Sequence, residues 1–244
     1  MSLEAPTTVL AILSVVLVTA PMLVYLTRFS RRYSAILVGI GFMVLAIVLE
    51  EVIQLLPLLY ILIRSGLSTG TAFAAYVSIE RNYTLFISLY LGFAAAISQE
   101  TMKFLAVKLY GRWESGLAGF GFSLVDLSIF LIPMVGTMPV LFLARNANAL
   151  AITSVILEAP LSMFFHTGSA AFLKQGSLTG RTIRNFPLVV LAHTYIDGSV
   201  DFSDISINLK HASSVLGVYV TWIPGILIAV LFLAYLLKFN YRRE

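Results

Sequence analysis

Nine ionisable side chains interrupt long apolar stretches of this chain: Glu50, Glu51, Glu100, Lys103, Asp126, Glu158, His166, His193 and Asp197. A charged group in hydrocarbon costs at least about 2.5–3.5 kcal/mol on insertion scales, so each is a functional candidate by default. Spacing groups them. Glu100 and Lys103 stand at i, i+3, and His193 and Asp197 at i, i+4, so each pair shares one helix face. A carboxylate beside imidazoles in a low-dielectric pocket can hold a water and take its proton. A lysine one turn away favours the ionised carboxylate, and Asp197 can orient His193 or accept a proton from it. The chemistry these residue types allow is proton transfer to and from a held water.

Depth points the same way. Counted from the basic end of each apolar stretch at about 1.5 Å per residue, Glu100, Asp126, His166 and His193 all fall roughly 12–15 Å in. A shared site explains that agreement. Glu50, Glu51 and Glu158 lie nearer mid-membrane or outward and read as structural or accessory. Glu158 precedes Pro160 and can cap backbone groups that the proline frees. Two histidines and two carboxylates could suit zinc, but no HExxH is present and no two histidines share a helix face. No metal and no cofactor are therefore expected. Cysteine is absent, which excludes a thiol nucleophile and a thiolate-bound metal.

The elements that carry these residues must be membrane helices. Of 244 residues, 59% are hydrophobic and 11% charged, against about 25% charged in a soluble domain. The pattern predicts an all-α polytopic bundle with seven spans, at about 9–26, 34–63, 83–109, 115–143, 149–173, 186–197 and 213–238. The sixth is short, and 198–212 reads as a modest outer loop. The first run lacks a basic leader and a small-residue cleavage site, so it reads as a retained helix. With the N-terminus outside and the C-terminus inside, twelve Lys and Arg fall on the inner side and four on the outer. The net charge of +4 then suits anionic lipid headgroups, and nucleic acid is not an expected partner. The chain reads as one multi-pass domain of the cell membrane, its partners being lipids and a transmembrane peptide substrate or partner helices.

Several motifs resemble those of the glutamate-type intramembrane protease clan, which includes PrsW and the CAAX-processing proteases. Gln99-Glu100-Thr101-Met102-Lys103 resembles its EExxK/R motif, Phe122-Ser123-Leu124-Val125-Asp126 its FxxxE motif, and His193-Thr194-Tyr195-Ile196-Asp197 its HxxxD motif. The order is most similar to the YhfC-like membrane peptidases: Ala94-Ala95-Ala96 before Gln99-Glu100, Gly119-Phe120-Gly121-Phe122 before Asp126, Glu158 eight residues before His166, then His193 and Asp197. The similarity extends from about residue 90 to 200. It implies metal-independent peptide hydrolysis, with Glu100 and His166 or His193 activating water. Gln99, Lys103, Asp126, Asp197 and Glu158 would support them. Gln99 stands where the motif has its first Glu, Phe122 where it has a His, and Asp126 where it has a Glu. These departures favour an alternative, a non-catalytic scaffold or peptide-binding subunit on the same fold. A small proton-coupled transporter using the same residues as a relay is a further alternative.

Overall fold

Apolar runs of twenty residues or more leave the backbone one way to satisfy its polar groups in lipid, the α-helix. The computed structural model describes residues 4–66, 68–136, 149–210 and 215–241, and every regular element among them is helical. The helices are α1 (Glu4–Thr27), α2 (Ser34–Arg64), α3 (Thr69–Asn82), α4 (Thr84–Lys108), α5 (Glu114–Gly136), α6 (Ala149–Leu178), α7 (Thr182–Lys210) and α8 (Val215–Tyr241). Among the described residues, three stretches are long and apolar enough to cross a membrane, Ser34–Arg64, Thr84–Lys108 and Trp222–Asn240. Prolines lie inside α1, α2, α6, α7 and α8, as is common where neighbouring groups can re-satisfy the freed carbonyls.

Large apolar side chains are exposed while several ionisable ones are buried. Leu17, Leu37, Phe86 and Leu231 are about as open as surface residues, at 70%, 69%, 71% and 69% exposure. Glu100 and Lys103 are fully buried, with His166, His193, Thr167 and Ser169 close to it. Exposed apolar side chains together with buried polar ones is a combination lipid selects, because lipid tails are as apolar as leucine and polar side chains find partners only within the protein. This is a membrane protein.

The chain forms two compact units. The first is drawn from Met1–Val44, Lys103–Ile183 and Leu227–Glu244. Its core joins Met22 and Leu26 of α1, Leu117, Phe120 and Leu127 of α5, Ala159, Met163 and Ala171 of α6, and Leu236 and Phe239 of α8. Within it α5 packs chiefly on α6, and α1 lies against both. The second unit is drawn from Leu45–Met102 and Arg184–Ile226, and so holds most of α2, α4 and α7 together with α3.

Each of the seven expected stretches overlaps a helix; residues 137–143 of the fourth and 213–214 of the seventh lie outside the described residues. Two readings need correction. The sixth helix of the sequence reading does not end near Asp197: α7 continues to Lys210, through the stretch read as an outer loop. Ser199 and Ser203 turn their hydroxyls onto the carbonyls of Tyr195 and Ser199, at 2.6 and 2.8 Å, so their polarity is absorbed by the helix itself. Gly198 is helical because it is packed, against the Ser88 carbonyl of α4. The segment before Tyr83 also holds a helix, α3, which was not anticipated.

Candidate functional site

The second unit builds a buried carboxylate–imidazole–carboxylate array. It begins where α4 meets α7 at two glycines. A methyl group on Gly92 would lie 2.4 Å from the Gly198 nitrogen and 2.7 Å from the Thr194 carbonyl oxygen, so only glycine lets the two backbones touch here. Glu100 lies two helical turns beyond Gly92, and His193 just over one turn before Gly198. The close crossing brings their side chains together. His193 Nδ1 is 2.7 Å from Glu100 Oε1, and His193 Nε2 is 3.2 Å from Asp197 Oδ2.

Both ring nitrogens of His193 therefore face carboxylate oxygens. The ring donates to both only as the imidazolium; a neutral ring requires one carboxyl to hold the proton instead. The three groups are close enough for their titrations to be coupled. Their side chains are graded in exposure, 0% for Glu100, 3% for His193 and 29% for Asp197. Glu100 is the anchored end and Asp197 the accessible end. The resemblance had assigned Asp197 only a supporting place.

A second contact in this unit involves a residue that sequence reasoning left as accessory. Glu50 of α2 receives two amide hydrogen bonds, from Gln99 Nε2 to Oε2 and from Gln54 Nε2 to Oε1, each 3.0 Å. Gln54 also reaches the Leu91 carbonyl at 3.4 Å, and the Tyr90 hydroxyl donates to the Ile53 carbonyl. These bonds fix the rotation of α2 against α4. Glu50 is half-buried by it, while neighbouring Glu51 is exposed. The i, i+4 spacing of Glu50 and Gln54 was the signal available in the sequence.

The first unit holds the remaining candidates. His166 Nε2 of α6 is 3.5 Å from Asp126 Oδ2 of α5. The His166 ring lies beside Phe122 and Phe165, centroids 6.2 and 5.5 Å away. Gly119 sets this crossing, since a Cβ there would sit 2.4 Å from the His166 carbonyl oxygen. Lys103 is fully buried rather than extended toward an aqueous surface. Its Nζ donates to Ser169 Oγ at 3.0 Å and stands over the Phe122 and Phe165 rings at 5.5 and 5.1 Å. Both rings thus face the Lys103 amino group in cation–π geometry. Ser169 was not anticipated, because serines in membrane helices usually bond only their own backbone. Glu158 is half-buried on α6.

No group of three or more described side chains is arranged to hold a metal ion. Outside the expected spans, burial pushes the Glu80 carboxyl of α3 up, and burial with the neighbouring Glu80 carboxylate pushes the Tyr76 phenol up to about 12. Compared with protein-family models, curated proteins and solved structures, the chain matches none.

Proposed function

We propose that this protein is a metal-independent intramembrane peptidase, a seven-span protein of the cell membrane with its N-terminus outside and its C-terminus inside. The observation that carries the reading is the Glu100–His193–Asp197 array, a set close enough for coupled titration in a protein that exposes large apolar side chains. The charge separation of the loops and the motifs from Gln99 to Asp197 agree with it. Asp197, the accessible carboxylate, takes a proton from water as the water oxygen attacks the peptide carbonyl carbon. His193 stabilises the charge that develops and is held in orientation by Glu100. Collapse of the tetrahedral intermediate breaks the C–N bond, and the same proton passes to the leaving amine.

The scaffold reading is favoured by the motif departures at Gln99, Phe122 and Asp126, and the complete burial of Glu100 suits a structural pin as well as a catalytic anchor. Cleavage of a synthetic transmembrane peptide by purified protein in lipid nanodiscs separates the two. The peptidase reading expects product from the wild type, a loss of at least about 10²-fold in Asp197→Asn, and a comparable loss in His193→Ala. Equal background signal in all three rejects it and leaves the scaffold.

A further inference from the structure

Glu50 and Gln99 form a pair whose polarity is fixed by chemistry. A carboxylate only accepts hydrogen bonds, so the Gln99 amide must turn its NH2 toward Glu50, as it does at 3.0 Å. The amide oxygen then points away from Glu50. Gln99 is more than nine-tenths buried, and its Oε1 has no hydrogen-bond partner among the described residues. A buried amide oxygen left without a donor is costly, on the scale of a lost hydrogen bond. It also lies on the residue next to Glu100. The Gln54 amide on the other carboxylate oxygen keeps Glu50 in place, so the Gln99 amide cannot turn over without setting its oxygen against a carboxylate.

We propose that Gln99 Oε1 is a docking point for a backbone N–H of an extended peptide, and that Glu50 is the positioning residue that aims it. The occupant must be a donor, uncharged and able to enter an apolar bundle. A main-chain amide of an unwound transmembrane segment meets all three conditions, because unwinding frees N–H groups that lipid cannot satisfy. This rests on the peptidase reading for its substrate class, but binding can be measured without cleavage. It also gives the neutral residue at position 99 a purpose. A glutamate there would stand 3 Å from a second carboxylate and could not remain ionised beside it.

The experiment uses full-length protein in lipid nanodiscs and a fluorescent transmembrane peptide of about 20 apolar residues with a central Gly-Gly. Matched peptides replace one central amide at a time by an ester, which removes a single N–H. Glu50→Gln, which keeps the side-chain shape, lets either amide turn. It is expected to weaken peptide binding about tenfold, and to raise KM with kcat little changed. One ester position is expected to weaken wild-type binding by a similar factor and to add nothing in Glu50→Gln. The exchange Glu50→Gln with Gln99→Glu restores an amide donor facing a carboxylate and leaves an acceptor pointing away. Its binding is expected to return to within about threefold of wild type. Thermal unfolding of each variant confirms folding. The proposal is overturned if folded Glu50→Gln binds as tightly as wild type, if the exchange is no better than the single change, or if no ester position matters, which would mean that Gln99 holds a water. Binding without cleavage would reject the peptidase and keep this site; cleavage with a KM indifferent to Glu50 would do the reverse.

Discussion

Replacing Gly92 with alanine places one methyl group where α4 touches α7. Its carbon would stand 2.4 Å from the Gly198 nitrogen, against the 3.4 Å at which ordinary contact begins, so the backbones must part by about 1 Å. The obstacles are main-chain atoms of a helix, which cannot rotate away as a side-chain end would. A parting of that size carries the 2.7 Å Glu100–His193 contact beyond hydrogen-bond range. Overpacking of this kind costs about 1–3 kcal/mol, offset by roughly 0.5–1 kcal/mol because alanine is the better helix former. Gly41 in α2 is the internal control, since a methyl there meets nothing within 4 Å among the described residues. Thermal unfolding in nanodiscs should show Gly92→Ala destabilised by about 1–2 kcal/mol, and Gly41→Ala unchanged or stabilised by up to about 1 kcal/mol. The imidazole proton of His193, followed by NMR, should lose its hydrogen-bonded downfield shift in Gly92→Ala alone. Equal stability of the two variants, with the His193 resonance unmoved, would refute the idea that the glycine crossing sets the array.

Glu100→Leu leaves His193 buried without one of its carboxylates and should cost about 3–5 kcal/mol by denaturant unfolding, with Glu100→Gln milder. Arg112 lies over Trp113 and Phe239, 5.0 and 4.5 Å from their ring centroids, and donates to the Phe239 carbonyl, so Arg112→Lys should cost about 1–2 kcal/mol although charge is kept. Tyr76 is favoured neutral in the folded state; its contribution is complete below pH 10, the ordinary phenol value, and is lost as pH rises through about 12. Tyrosinate absorbance near 295 nm should therefore lack a step near pH 12 in Tyr76→Phe, and a difference spectrum centred on pH 10 would contradict the burial of that phenol.

Much of the site was legible because membrane helices leave few reasons for a charge. Glu100, His193 and Asp197 were singled out by cost, depth and spacing, and they meet. So do Asp126 and His166. What escaped depends on rotation and packing, which one sequence does not encode locally. Glu50 and Glu51 point about 100° apart on α2, and only the bonds from Gln99 and Gln54 decide which is held. Ser169 is one of many serines until Lys103 reaches it. The run from Gly198 to Lys210 carries loop-forming residue types, yet Ser199 and Ser203 close on their own helix, and Gly198 is there for contact rather than for a turn. α3, with only 14 residues and mixed polarity, gives no strong periodic signal.

The central claim is that Asp197 and His193 activate water against a peptide bond without a metal. The most direct measurement is cleavage of a synthetic transmembrane peptide in ¹⁸O-water with a strong chelator present. Wild type should release a fragment with one ¹⁸O in its new carboxyl group, and Asp197→Asn and His193→Ala should each lower the labelled product by at least about 10²-fold. Labelled product at equal rates in all three proteins, or a wild-type rate abolished by the chelator, would contradict it.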